Sequence, residues 1–265
     1  MIRKLLLFAG VILIISAFVP KKKKEFLPPG TVKINDTLYA DETEISNFSW
    51  VEYQWWTFRK YGLKSKEYLA VLPDTLVWRD SSAYNELYVE NYLRHPAYRE
   101  YPVVGISYEQ AVDFCKWRTE RVKEFMCISK KFELINFEYR LPTKQEWEFV
   151  SNNGGTCFSY RGRNEKGQLT SNHVWDPTDT MEVKKKSTFY SADVTAPVYS
   201  YWKNSFGLYN MIGNVSEMVL EKGISKGGSW RHRLEQCRVG KDITYEKPNA
   251  WLGFRCVCIV KKSKI

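Results

Sequence analysis

The sequence predicts an α+β domain, rich in loops, with few helices and short antiparallel strands. Two observations carry that reading: helix starts written as capping boxes, and short β-prone stretches around an Asn-Asp turn, with long loops between. In chain order, Thr31-Val-Lys-Ile34 and Leu38-Tyr39 predict a hairpin about Asn35-Asp36. A helix that begins near Ser49 carries Trp50, Tyr53, Trp55, Trp56 and Phe58. An aromatic stripe at helical spacing predicts a core-facing helix. Ser107-Tyr-Glu-Gln110 opens a second helix, in which Ala111, Phe114, Cys115, Arg118 and Val122 recur at helical spacing. Thr143-Lys-Gln-Glu146 opens a third, carrying Trp147, Phe149 and Val150, directly after Tyr139-Arg-Leu-Pro142. In each box the hydroxyl and the side chain three residues on satisfy amides that the first helical turn leaves without partners.

At 265 residues the chain holds one large domain and a short appendage. Apolar residues at 44% and aromatics at 15%, with ten Trp and seventeen Tyr, indicate a globular protein. The net charge of +10 comes largely from lysine clusters at Lys21 to Lys24, Lys184 to Lys186 and the Lys261-Lys262-Ser-Lys264 tail. Such a balance attracts anionic surfaces, but no nucleic-acid motif accompanies it. Histidines number three, His95, His173 and His232, without zinc spacing, and no Gly-x-Ser-x-Gly elbow occurs.

Residues 1–20 are expected to be a signal peptide or signal anchor, 21–30 a basic, proline-containing linker, 31–260 the domain and 261–265 a basic tail. Arg3 and Lys4 precede an apolar run from Leu5 to Val19, the length of a signal-peptide core and short for a crossing helix. Export to the periplasm or cell envelope is the expectation, with the N-terminal segment engaging the membrane at least in transit. The lysines after Pro20 favour the cytoplasmic side, so retention as an inner-membrane anchor through residues 5–19 stays open beside cleavage after Ala17.

Four stretches near the C-terminus carry a family pattern: Asn204-Ser-Phe-Gly-Leu-Tyr-Asn-Met-Ile-Gly-Asn-Val-Ser-Glu217, Lys226-Gly-Gly-Ser-Trp230, Cys237, and Leu252-Gly-Phe-Arg-Cys256. With Ala111 to Trp117 and Arg140 to Glu148, they resemble the formylglycine-generating enzyme, or sulfatase-modifying factor, family over about residues 28–260. The resemblance implies a C-type-lectin-like fold. Leu72-Pro-Asp-Thr-Leu-Val-Trp78, Tyr92, His95-Pro-Ala-Tyr98 and Tyr101 to Ser107 look more narrowly like the domains of the Bacteroidota gliding-motility and type IX secretion lipoproteins, which are regarded as non-catalytic. A lipidation cysteine is missing, since the first cysteine is Cys115.

Catalytic members of that family carry cysteines three and eight positions after the serine of Gly-Gly-Ser, where they bind copper and activate oxygen. Here those positions are His232 and Cys237. Copper(I) is best held by paired thiolates, and the chemistry needs a sulfur that substrate thiol can displace. The substitution speaks against copper and leaves His232 and Cys237 as degenerate positions: His232 an ordinary polar loop residue or a metal ligand, Cys237 a buried small hydrophobe. Six cysteines allow fifteen complete pairings; the resemblance implies one bridge, Cys115 to Cys256, and leaves Cys127, Cys157, Cys237 and Cys258 unassigned. A second family bridge falls on Ser151 and Asp242 and is absent. Calcium is the cofactor the resemblance implies, held by Asn214, Val215 and Glu217, with a further site at Asn172 in Ser171-Asn-His-Val-Trp175. Two functions follow: an exported non-catalytic domain that binds envelope proteins or glycan, or a metal-dependent oxidase of protein cysteine or a small thiol acting through His232 and Cys237.

Overall fold

Asn35 turns the chain at the first hairpin, because its Oδ1 accepts the backbone N–H groups of Thr37 and Leu38, each at 2.9 Å. The computed structural model describes residues 27–79, 85–129, 135–152, 170–174 and 194–261. Residues 1–20, read above as a signal peptide or anchor, lie outside them, as do Cys157, Trp175 and the lysine clusters at 21–24, 184–186 and 262–264. The hairpin pairs β1 (Thr31–Lys33) with β2 (Leu38–Asp41), Val32 opposite Ala40. On the other side of β2 lies β8 (Val257–Lys261), and β3 (Asn136–Arg140) closes the sheet, giving the order β1-β2-β8-β3. A second sheet orders β6 (Ile243–Thr244), β5 (Ile224–Lys226), β4 (Ser216–Met218) and β7 (Leu252–Gly253). Its strands are two or three residues long, and β4 and β7 run parallel. The expected α+β arrangement with few helices and short strands is what the chain adopts.

Five α-helices complete the described residues: α1 (Asn47–Tyr61), α2 (Lys66–Ala70), α3 (Glu86–Asn91), α4 (Tyr108–Ser129) and α5 (Lys144–Asn152). Both capping boxes form as read. Ser107 Oγ accepts from Gln110 N at 3.2 Å while Gln110 Oε1 accepts from Ser107 N at 2.8 Å. Thr143 and Glu146 exchange the same pair at 3.1 and 2.8 Å, and Arg140 forks onto the Glu146 carboxylate with two bonds of 2.7 Å. None of the helices among the described residues is long and apolar enough to cross a membrane.

α1 departs from the expectation in two ways. It starts earlier, because Ser46 rather than Ser49 is the cap, its Oγ accepting from Ser49 N at 3.3 Å. Its aromatic stripe also splits. Trp50, Tyr53, Gln54 and Thr57 face the core, whereas Trp55, Trp56 and Phe58 stand in solvent. At about 100° per residue, positions 50, 53, 54 and 57 share one face and 55, 56 and 58 do not; the density of rings concealed that spacing. Inward, Trp50 stacks on Phe114 at 5.5 Å and meets Phe254 edge-on at 6.1 Å, joining α1 and α4 to the loop before β8. A second aromatic group, Trp78 with Tyr92 at 4.6 Å and with Trp230 at 6.3 Å, packs behind the Gly-Gly-Ser-Trp turn.

This division of α1 is measurable by urea denaturation. Trp50→Ala is expected to cost about 3–5 kcal/mol through lost burial and a residual cavity. Trp55→Ala should stay within about 0.5 kcal/mol of wild type.

Candidate functional site

The resemblance-marked residues converge on a buried polar centre between the two sheets. Glu217 on β4 accepts a two-pronged ion pair from Arg255, Nε to Oε2 and Nη2 to Oε1, both at 2.6 Å. Its Oε2 also accepts the indole N–H of Trp147 on α5 at 2.7 Å. The guanidinium donates further to the carbonyls of Asp41 at 3.1 Å and Tyr209 at 2.8 Å. Asn214, held at φ +61°, accepts the Ala196 N–H at 2.7 Å on Oδ1 and donates from Nδ2 to Glu44 Oε1 at 2.9 Å. Asn210 donates to Glu44 Oε2 at 3.1 Å. Asn172 sits against this turn: its carbonyl accepts Asn214 N–H at 2.7 Å, and its Nδ2 donates to the Val194 carbonyl. The Asn172 backbone lies so close to Gly213 that a Cβ there would stand 2.2 Å from its oxygen, so the glycine is required.

These contacts bear on calcium. The carboxylate of Glu217 is the counter-ion of a fully buried guanidinium, and the Asn214 amide is spent within the protein, which leaves Val215 only a backbone carbonyl to offer. A divalent cation on Glu217 would lie against a second positive charge. The residues named from the sequence, Asn214, Val215, Glu217 and Asn172, therefore do not fit calcium in this arrangement. Among the described residues no group of three or more His, Cys, Asp or Glu side chains is placed to hold a metal. Among the described residues, the buried Asn210 Oδ1 and Asp41 Oδ1 of this network have no partner, and the sequence singled out neither.

On the neighbouring loop, His232 Nδ1 lies 2.6 Å from Ser229 Oγ, and its ring stands edge-on to Trp251 at 4.9 Å. Burial, aided by Arg231, lowers the imidazole below its ordinary value, so it is neutral at pH 7. Cys237 is 0% exposed, and a Cβ at Gly228 would come within 2.3 Å of its sulfur. Burial pushes the Cys237 thiol up to about 12. A protonated, buried thiol is a poor nucleophile. Its recorded polar neighbour is the His232 carbonyl at 3.9 Å, and the pair does not fit a copper centre.

The model of the sulfatase-modifying factor enzyme 1-like domain matches this chain over residues 6–260. The chain belongs to that family. Among curated members and relatives, an inactive C-alpha-formylglycine-generating enzyme 2 from Bos taurus is 27% identical over 59% of the chain and 50% of its own length. A formylglycine-generating enzyme from Mus musculus is 27% identical over 59% and 44%. A serine/threonine-protein kinase pkn1 from Chlamydia caviae is 32% identical over 46% of the chain and 14% of its own length. The chain thus spans half or less of these relatives. Of solved structures, CarF superimposes with a TM-score of 0.55 at 18% identity, covering 88% of this chain and 96% of that one, a likeness of fold alone. Similarity extends both to a formylglycine-generating enzyme and to a relative named inactive.

The positions that the resemblance marked for bridges also have defined surroundings. Asp242, one half of the absent bridge, pairs with Lys226 at 2.9 Å, and Lys226, fully buried, also meets Glu148 at 2.6 Å. Ser151, the other half, keeps a buried hydroxyl without a partner among the described residues. The sulfurs of Cys115 and Cys256 are buried 3.4 Å apart. Cys258 is buried and Cys127 exposed.

Glu44 is the residue that sequence reasoning passed over. Burial raises its carboxyl from 4.5 to about 8 against the attraction of Arg255. The native state therefore holds a proton that the unfolded chain releases, and stability falls as pH rises from 4.5 to about 8. Melting temperatures across that window should decline for wild type and decline less for Glu44→Gln, which carries no charge at any pH.

Proposed function

We propose that this protein is an exported, non-catalytic member of the sulfatase-modifying factor family, serving as a structural or interaction component of the cell envelope. The observation that carries the reading is the Gly228 to Cys237 loop: a neutral imidazole occupies the position of the displaceable sulfur, and the remaining thiol is sealed beneath the Gly228 backbone. An oxygen-activating copper centre needs two accessible thiolates, and this loop offers none. The apolar run at residues 5–19 supports export, and the loop-rich surface suits binding to envelope proteins or glycan. The aromatic motif from Leu72 to Ser107, by its likeness to gliding-motility and type IX secretion lipoproteins, supports a role alongside that machinery.

Mass spectrometry of a sulfatase-type peptide incubated with the purified protein and copper tests the absence of catalysis. No formylglycine is expected; turnover above a copper-only control would overturn the reading.

Export also brings the chain into an oxidising compartment, where Cys115 and Cys256 are expected to join. Their sulfurs need to close from 3.4 Å to a bond of about 2.05 Å. A bridge between α4 and the β8 approach would add about 2–5 kcal/mol by restricting the unfolded chain. Non-reducing peptide mapping of protein recovered from the envelope should give the linked Cys115–Cys256 peptide, and two free thiols there would refute the assignment.

A further inference from the structure

From Trp55 to Lys66 the chain reads Trp-Trp-Thr-Phe-Arg-Lys-Tyr-Gly-Leu-Lys-Ser-Lys, with four cations and no carboxylate. The structure turns most of this stretch outward. Trp55 is 50% exposed and Leu63 60%, with Trp56, Phe58 and Tyr61 open beside them and Leu69 following on α2. The cations lie on rings: Arg59 stands 5.5 Å over Trp55, Lys60 4.9 Å over Tyr61, and Arg121 of α4 4.6 Å over Trp56. Arg59, Lys60, Lys64 and Lys66 form no ion pair with the described residues, although Glu52 and Glu67 lie within the span from Phe48 to Leu69 and Glu120 borders it.

The chemistry of the patch selects its partner. Large apolar groups with basic side chains reaching past them are the composition of segments that lie at a lipid–water interface and attract anionic headgroups. A stacking platform for bases or sugars is disfavoured, because Trp55 and Trp56 meet at 86° and each carries a guanidinium near its ring. Leu63 and Leu69 offer no hydrogen bond to either ligand. Position agrees with charge. Pro29 and Gly30 line a cleft with Phe48, Ser49, Glu52 and Arg121, so the chain enters the domain beside α1. From Val19, where the apolar run ends, to Pro29 is ten residues, a reach of at most roughly 35 Å when extended. A membrane holding that run would hold this face near its surface.

We propose that the outward face of α1 and the turn into α2, from Phe48 to Leu69, docks on an anionic lipid bilayer. The proposal rests on the envelope reading only for which membrane is met. Hydroxyl-radical footprinting of the full chain with phosphatidylglycerol-containing or pure phosphatidylcholine vesicles tests it, read by mass spectrometry at Trp55 and Trp56 with exposed Phe149 as internal control. On the anionic vesicles oxidation of both tryptophans should fall by at least about threefold, with little change at Phe149 or on phosphatidylcholine. Combined Lys64→Glu and Lys66→Glu, both exposed, should abolish that protection with the melting temperature unchanged. Unprotected tryptophans, equal protection on both vesicles, protection surviving charge reversal, or protection by protein concentration alone would each overturn the proposal. Cell fractionation tests the envelope location separately, so the two readings fail independently.

Discussion

The ion pair between Glu217 and Arg255 is the constraint on which this architecture depends. Glu217 belongs to the second sheet and Arg255 to the approach of β8 in the first, so two bonds of 2.6 Å join the layers. Neither side chain sees solvent, and each charge has given up water for protein partners. Such a pair stabilises little against an apolar replacement, yet losing one member leaves a buried charge without compensation. Its further value is in specifying geometry. The Asp41 and Tyr209 carbonyls and the Trp147 indole must all be in place to satisfy the pair, which fixes β2, α5 and the loop before Met211 relative to one another.

Around that frame the family fold persists, and the proposed loss of its thiol chemistry rests on the Gly228 to Cys237 loop. Gly228 lets the backbone pass against Cys237, so packing has taken the space that an attacking sulfur would require. Lys226, with Asp242 and Glu148, ties β5 to α5 and to the segment before β6 by charge. Its ammonium is buried only because two carboxylates reach it.

Much of the frame was legible in the sequence because its signals are local. The Ser107 and Thr143 boxes, the Asn35 turn and the Arg140-Leu-Pro stretch each settle their conformation within a few residues. Orientation was less legible on α1, where rings on both faces outnumber what the core accepts. The centre was least legible. Glu44 meets Asn210 and Asn214 across more than 160 positions, and nothing beside Glu44 in the chain distinguishes it from a surface acid. Glu217 was noticed for its motif, but its role is decided by Arg255, and no spacing rule connects a carboxylate on one sheet to a guanidinium on another.

The place of β8 bears on the order of events in the cell. This strand, the last in sequence, lies between β2 and β3, pairing Leu38 with Ile259 on one side and Glu138 with the same residue on the other. The first sheet therefore has no continuous centre until some 220 intervening residues have been made. Contacts of such separation form slowly, because the intervening chain must first be ordered. On the export proposed above, late closure is an advantage: what is made early has no complete sheet to form, and the chain stays unfolded enough to pass.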